Sequence, residues 1–455
     1  MSGDGSHQAH QSLLIRPPWI DRTRVLDKAL SCLTTVYPGE GLGAFLLGAV
    51  VFALLTSFYV LKTVRETIIL ETGGAEIKSY AAAAQSLLLL FVVPVYGLIA
   101  SRLDRVRLIT SVNLFFLSHL LLFAAAAATG VSIGVAFYVW LGVFNVMVIA
   151  QAWAFATDVY SAEQGQRLFP LIGVGSALGA LAGSAMSAPL LKGAGVPGTL
   201  VAITALLLIG LGGIALVNRY VCACGGPQSI IAHLHNGKDG GLELLMKSRY
   251  LLLIAMLTAV ANLASSSSDF VMGRMVTDAA LRVPQEQRSD FISGYYAHYF
   301  SLVSGLALVI QLFIVPRAFH YLGIVGSLFV LPVLALVTGF FALDGHGLTT
   351  VRAMKIAEGS VEYSLQTTAA NALFLGASRV AKYKAKSAID AFFFRTGDLI
   401  FAAVVSMGAA WAFSVPQYAA INLAIVVVWL FVVLSLRREL KERKPRWMAV
   451  ANTRQ

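Results

Sequence analysis

Apolar stretches of about 20 residues recur along the chain from residue 43 to residue 436, separated by short polar segments. A helix of that length crosses the hydrocarbon core of a bilayer, and a water-soluble domain does not carry such stretches in series. Of the 455 residues, 58% are hydrophobic and only 13% are charged, which excludes an ordinary soluble fold. The sequence therefore predicts an all-α polytopic membrane protein.

Counting these stretches predicts about twelve transmembrane helices in two six-helix halves. The longest internal polar segment, residues 219–248, is interpreted as a cytoplasmic linker between an N-terminal half (43–218) and a C-terminal half (249–436). Residues 1–42 are predicted to be a cytoplasmic segment with an amphipathic helix, and residues 437–455 a basic cytoplasmic tail. This plan resembles that of major-facilitator transporters, whose substrate site lies between the halves near the membrane midplane.

The distribution of charged residues first indicates the membrane topology. The chain has 34 Lys and Arg against 23 Asp and Glu, a net charge of +11, and basic residues concentrate in the segments that face the cytoplasm if both termini do. The opposite side would hold only Lys78, Lys192, Arg274, Arg282 and Arg288. We therefore expect a membrane protein with both termini in the cytoplasm, the lipid bilayer around it and no nucleic-acid partner.

An ionisable side chain inside a span costs about 2.5–3.5 kcal/mol on insertion scales, so each one is a functional candidate. In the first span Lys62, Arg65 and Glu66 lie three and four residues apart and share one helix face. Because the apolar run continues past them, we expect them to be buried; a helix end whose cations reach the lipid headgroups is the alternative.

The seventh span carries Asp269 directly after Ser265–Ser268, with Arg274 little more than one turn later. A hydroxyl-rich stretch beside a carboxylate suits a water-filled cavity, whereas plain helix termination by Ser and Asp is the competing interpretation.

The tenth and eleventh spans hold the remaining charges. In the tenth, Arg352, Lys355, Glu358 and Glu362 recur at three- and four-residue spacing, which favours a ladder of mutual ion pairs over a translocation path. In the eleventh, Arg395 lies well inside the span and Asp398 is the predicted partner. Cations exceed carboxylates along the predicted path, and guanidinium groups bind phosphate or carboxylate well, so an anionic substrate is favoured.

Several of these segments resemble one family. The segments Tyr59-Val-Leu-Lys62-Thr-Val-Arg65-Glu66 and Lys382-x-Lys384-x-Lys386-Ser-Ala-Ile-Asp390 are similar to the first helix and the approach to the eleventh helix of nucleotide transporters of the ATP/ADP translocase type, the ATP:ADP antiporter family. Gln166-Arg167-Leu168-Phe169-Pro170 and Tyr363-Ser364-Leu365 add weaker matches. The resemblance is to the bacterial branch of this family, and it implies a major-facilitator-like fold, a location in the bacterial inner membrane and the exchange of nucleotides.

Carried over residue by residue, the family's first-helix cation falls on Arg65, its late lysine on the pair Lys384 and Lys386, and its seventh-helix acid on Asp269. Arg and Asp stand where the nucleotide exchangers have Lys and Glu. The fourth span, 131–157, has no acidic residue, although the exchangers have one near its start. The resemblance therefore implies the fold more strongly than the adenylate specificity.

Four further residues form a weak metal-binding pattern in the central loop: Cys222, Cys224, His233 and His235. Two thiols and two imidazoles suit zinc or copper, but the short Cys-x-Cys spacing and Gly-rich surroundings favour unrelated loop residues. No resident cofactor is expected.

The sequence thus predicts a non-enzymatic, monomeric secondary transporter that moves an anionic, phosphorylated, nucleotide-like metabolite by alternating access, with exchange as its most specific form. Predicted substrate-binding residues are Lys62, Arg65 and Arg395, followed by Arg274, Lys384 and Lys386; predicted gating or ion-coupling residues are Glu66, Asp269, Glu358, Glu362 and Asp398. Two alternatives stay open. One is a proton-coupled major-facilitator transporter of another solute, and the other is a non-transporting scramblase or sensor in which Lys62 and Arg65 are exposed helix-end residues.

Overall fold

The protein is described by a computed structural model that covers residues 27–28, 30–31, 36–37, 40–100, 105–160, 162–223, 245, 248–376 and 386–452. Helices form nearly all of the described part, and it contains no β-strand. Most of the predicted amphipathic N-terminal helix lies outside the described residues.

Twelve spans follow one another along the described chain. They are α1 (41–73) and α2 (75–100) within Gly41–Ala100; α3 (Arg105–Ala128); α4 (Gly134–Phe144, Asn145–Ile149 and Ala150–Val159); α5 (162–194) and α6 (196–223) within Ala162–Ala223; α7 (Arg249–Ala280); α8 (Arg288–Val309, Ile310–Ile314 and Val315–Tyr321); α9 (Gly323–Ser327 and Val330–Leu343); α10 (Leu348–Val361, Glu362–Gln366 and Thr367–Ala372); α11 (Lys386–Ala388, Ile389–Phe393 and Phe394–Ala410); and α12 (Val415–Asn452). The predicted polytopic helical fold is confirmed.

Two glycines divide the long helical stretches. Gly74 (φ 66°) separates α1 from α2, and Gly195 (φ 64°) separates α5 from α6. This left-handed conformation is unfavourable for residues with a Cβ atom, so glycine allows the chain to reverse without a longer loop.

The charges of α10 explain why this span is the hardest to recognise. Among the described residues, nine helical stretches are long and apolar enough to cross a membrane, and two of them, Gly41–Tyr96 and Arg167–Tyr220, contain two spans each. The remaining span is α10, whose apolar character is interrupted by Arg352, Lys355, Glu358 and Glu362.

The last helix is longer than the sequence predicts. Residues 437–452, part of the predicted tail, continue α12 as far as Asn452. Residues 437–444 are Arg, Lys, Glu and one Leu, which all favour helix, so no local signal ends the helix at the predicted membrane boundary, residue 436.

Successive spans alternate in direction. The start of α1, the end of α12 and the α6–α7 connection therefore lie at the same face, which we call the terminal face. The α1–α2, α7–α8 and α11–α12 connections lie at the opposite face, which we call the far face.

Three apolar clusters show how the halves meet. One contains only residues of α1–α6, such as Leu120, Phe137 and Phe144, and a second contains only residues from Leu245 onward. The third combines both halves, since Ile69 and Leu70 of α1 pack with Phe270 of α7 and others. Its members lie toward the far face, so the described apolar core joins the halves there.

Within the N-terminal half, α5 packs unusually closely on α1. A Cβ atom added at Gly175, Gly179 or Gly183 would lie 2.4 Å from the carbonyl oxygens of Gly48, Phe52 and Thr56, respectively. The Thr56 hydroxyl also donates to the carbonyl oxygen of Gly179 at 3.2 Å. Small residues at this spacing let two helix backbones approach, as is common inside membranes.

We expect Gly179→Ala to destabilise the protein by about 1–3 kcal/mol, because the new methyl group would collide with backbone atoms that have no room to move. The measurement is thermal unfolding in detergent. Gly173→Ala is the matched control, since nothing lies within 4 Å of a Cβ atom at Gly173. Equal melting temperatures for the two variants would contradict the close α1–α5 contact.

Candidate functional site

Charged side chains of α1, α2, α7, α10 and α11 meet between the two halves. In the α1–α2 hairpin, the Glu66 carboxylate lies between two cations, with Arg65 Nη2 2.6 Å from one oxygen and Lys78 Nζ 2.6 Å from the other. The Arg65 guanidinium also lies 4.3 Å from the ring centroid of Tyr138 on α4. Three fixed charges are thus held together with one positive charge in excess.

Lys78 was missed as a site residue. The sequence places it in a solvent-exposed connection on the outer side, but its side chain is only 12% exposed. The reason is the reversal at Gly74, which starts α2 before Lys78 and turns this side chain back toward Glu66. The missed signal is the stretch 79–101, which follows Lys78 without a single charged residue.

Lys62 has a different environment from the other cations on α1 and α2. Its ammonium group donates to the Tyr363 hydroxyl at 3.0 Å and lies 4.2 Å from the ring centroid of Phe300, with the Tyr59 and Tyr363 rings at 5.4 and 5.3 Å. No carboxylate of the described residues lies within 4 Å of it. Since α1 continues to residue 73, Lys62 is not a helix-end residue. Its charge is stabilised by aromatic faces and remains available to an anion.

A second charged triad lies in the C-terminal half. Lys355 Nζ contacts Asp269 Oδ1 at 2.9 Å and Glu358 Oε1 at 3.2 Å, and it donates to Ser268 Oγ at 3.0 Å. The Lys355 and Glu358 side chains are buried, whereas that of Asp269 is 48% exposed. Asp269 also interacts electrostatically with Lys78 and Lys62 of the other half. This carboxylate therefore faces the space between the halves.

The predicted charge ladder on α10 forms only in part. Lys355 pairs with Glu358, but Arg352 contacts His298 of α8 and lies 5.2 Å from the Tyr295 ring centroid. Glu362 accepts a hydrogen bond from Ser265 at 3.3 Å and has no cation within 4 Å among the described residues. Glu362 begins a π-helical turn, Glu362–Gln366, a local widening that recurs at functional sites.

Asp398 of α11 bridges the halves through neutral donors. It accepts hydrogen bonds from Ser86 of α2 at 2.7 Å, and from Ser266 and Asn262 of α7 at 2.7 and 3.1 Å. It forms no ion pair with Arg395, the partner expected from spacing. Three donors already occupy the carboxylate, and the Arg395 guanidinium lies instead 5.2 Å from the ring centroid of its neighbour Phe394.

Arg274 lies at the far face. It forms an ion pair with Glu76, which is at the start of α2, so the contact joins the two halves where their shared apolar cluster also lies. The charge of Arg274, a predicted substrate-binding residue, is therefore already used in an ion pair between the halves.

We expect Glu76→Arg to open the far face a few-fold more often, because a surface ion pair contributes about 0.2–1 kcal/mol and two arginines repel. The measurement is the labelling rate of a cysteine placed at Ala75, which is 1% exposed, by a membrane-impermeant maleimide. The swap Glu76→Arg with Arg274→Glu should restore slow labelling. Fast labelling of the swap would show that the pair does not hold the halves together.

A cavity of about 250 Å³ lies in the C-terminal half among α7, α10 and α11. It extends from Glu362 toward the terminal ends of these helices, where Phe374 and Lys386 contribute to its lining. Lys386 Nζ donates to Asn371 Oδ1 at 2.7 Å. The neighbouring candidate Lys384 lies outside the described residues, as do Cys224, His233 and His235, whereas Cys222 lies in α6. The described residues contain no group of three or more potential metal ligands.

Comparison with known proteins adds evidence on the fold. A scan of protein-family models and a search of curated proteins both find no match. Solved structures do match: the nucleoside transporter NupG is 13% identical with a TM-score of 0.61, covering 88% of this chain and 99% of that one. The POT family transporter PepTSo is 13% identical with a TM-score of 0.62, covering 87% and 98%. A bacterial homologue of the iron transporter ferroportin, in an inward-facing state, is 12% identical with a TM-score of 0.60, covering 86% and 97%.

These identities are low, so the likeness establishes the fold alone. The chain has the major-facilitator fold, as the sequence predicts. The resemblance to nucleotide transporters of the ATP/ADP translocase type is not confirmed by any of the comparisons.

Proposed function

We propose that the protein is a secondary transporter that moves an anionic solute across the membrane by alternating access. The observation that carries this proposal is Lys62, an ammonium group between the halves that has aromatic neighbours and no carboxylate partner among the described residues. An anion placed there gains a charge-assisted contact without breaking an existing ion pair.

The neighbouring charges support an anion with more than one negative charge. In the α1–α2 hairpin, the three cations Lys62, Arg65 and Lys78 lie near one buried carboxylate, Glu66. Arg65 offers planar, paired donors that suit phosphate. An arriving anion would take the place of the Glu66 carboxylate as the partner of Arg65. We assign Lys62 and Arg65 to anion binding and Glu66 to gating.

Other candidates are assigned by position. The Arg274–Glu76 pair and Asp398 hold the halves together and act in gating, and Asp269 faces the cations across the site. Lys386, with Lys384, would guide an anion at the terminal face, as would Arg395. In its most specific form, the substrate is phosphorylated and nucleotide-like and is exchanged for a counter-substrate. The proposal of nucleotide exchange rests on the sequence. So does the proposal that the protein is a monomer in the bacterial inner membrane with both termini in the cytoplasm.

A second candidate, proton-coupled transport, is favoured by Glu362. Its carboxylate lines the cavity with only a hydroxyl donor, so a bound proton would find no competing cation there. Here a proton gradient, rather than a gradient of counter-substrate, supplies the driving force, and Glu362 carries the proton. A scramblase or sensor is disfavoured, because Lys62 and Arg65 lie between the halves and not at an exposed helix end.

Uptake into proteoliposomes tests these forms. Vesicles containing the full chain are preloaded with ATP, ADP, phosphate or no solute, and uptake of a labelled phosphate compound is followed with and without a pH gradient. We expect uptake that depends on a preloaded anion. Uptake that is independent of the preloaded anion and depends on the pH gradient would support proton coupling and contradict exchange. Uptake no greater than that of protein-free vesicles would contradict anion transport.

A further inference from the structure

The cavity of the C-terminal half has the opposite charge from the α1–α2 hairpin. Its lining includes the carboxylates of Glu358, Glu362 and Asp390. Among the described lining residues the one basic side chain is Lys386, which already donates to Asn371. The rest of the polar lining is neutral, including Asn262 and Ser265. The part of the cavity around Glu362 therefore attracts a cationic group.

Glu362 is the carboxylate in this cavity that is best placed to bind such a group. Glu358 is neutralised by Lys355 at 3.2 Å, and Asp390 lies closer to the terminal face at the start of α11. Glu362 has a single hydroxyl donor at 3.3 Å, which leaves most of its accepting capacity unused.

Gln366 gives an independent indication of a ligand. It lies one helical turn beyond Glu362, lines the same cavity and is only 7% exposed. Its carboxamide oxygen receives no hydrogen bond from the described residues. A buried acceptor without a donor is costly, so an N–H donor arriving in the cavity would satisfy both Gln366 and Glu362.

The cationic and acidic positions belong to one site. Tyr363, adjacent to Glu362 in the same π-helical turn, receives the hydrogen bond from Lys62 at 3.0 Å. An anion at Lys62 and an ammonium group at Glu362 would therefore lie on either side of this tyrosine.

Building on the anion transport proposed above, we propose that the substrate is amphoteric: its anionic group is bound by Lys62 and Arg65, and a protonated amine enters the acidic cavity and is bound by Glu362 and Gln366. The two halves then recognise opposite ends of one molecule. Such a substrate links the halves directly, so its binding biases how they close around it.

Three probes separate the two ends of the site. O-phosphoethanolamine carries a phosphate and an ammonium group, ethyl phosphate carries only the phosphate, and ethylamine carries only the ammonium group. Binding to the full chain in detergent is measured by calorimetry at neutral pH. We expect O-phosphoethanolamine to bind about 10- to 100-fold more tightly than ethyl phosphate, the effect of one hydrogen bond to a charged group, and ethylamine to bind weakest.

The variant Glu362→Gln should bind both phosphates equally, while its unchanged affinity for ethyl phosphate shows that it is folded. Asp390→Asn, which removes the same charge from the same cavity, should keep the preference for the amine. Equal binding of both phosphates by the unmodified protein would overturn the amphoteric site and leave anion transport standing. A preference for O-phosphoethanolamine that persists in Glu362→Gln would have the same two consequences. Failure of both phosphates to bind would overturn the anion site as well.

Discussion

Lys62→Met is expected to lower uptake of the transported anion by about 30-fold or more, because the loss of a buried charged partner commonly costs at least 2 kcal/mol. Methionine retains the unbranched side chain and packs well against the rings of Tyr59, Phe300 and Tyr363. The protein should therefore remain folded, with a melting temperature close to that of the unmodified chain. The measurement is initial uptake rate in proteoliposomes at matched protein density.

Two controls make this result specific to the charge between the halves. Lys62→Arg keeps a cation among the three rings and should retain a measurable part of the uptake. Lys192→Met makes the same chemical change at an exposed position of α5 and should leave uptake unaltered. Full uptake by Lys62→Met would remove this residue from the binding site.

Lys355→Met is expected to destabilise the folded protein by about 3–5 kcal/mol, because it leaves a buried carboxylate without its cation. Lys355 and Glu358 have side chains that are 2% and 5% exposed, whereas Asp269 is 48% exposed and remains hydrated. Glu358 therefore carries most of the penalty. The expected observation is a large fall in melting temperature and in the yield of folded protein from detergent extraction.

The second substitution Glu358→Gln tests this cause. The double variant Lys355→Met with Glu358→Gln removes both buried charges and should recover most of the lost stability, since replacing a whole buried pair is often close to neutral. A double variant as unstable as Lys355→Met would show that packing, and not the unpaired carboxylate, explains the effect.

The sequence was sufficient for the fold because membrane spans are recognised by length and apolarity, which are local properties. It also placed Lys62, Arg65 and Glu66 on one face of α1, since helical spacing is local too. Even α10, with four charges among residues 348–362, was recognised as a span.

The partners of these charges were not predictable in the same way. Lys62 donates to Tyr363, 301 residues away, and Asp398 accepts from Ser86, 312 residues away. Such pairs depend on how the two halves pack, which no spacing within one helix encodes. For the same reason, the expected pairing of Arg395 with Asp398 was wrong, and the burial of Lys78 depended on the reversal at Gly74.

The central claim is that the halves alternate around an anion bound at Lys62, and one distance tests it most directly. Spin labels are attached at Val131 and Leu281, exposed residues of different halves at the far face, in a chain whose Cys32, Cys222 and Cys224 are replaced by serine. Saturating O-phosphoethanolamine should produce a second, longer distance as the far face opens, and this population should be absent in Lys62→Met. A single distance that is the same with and without the ligand would contradict alternating access around this site.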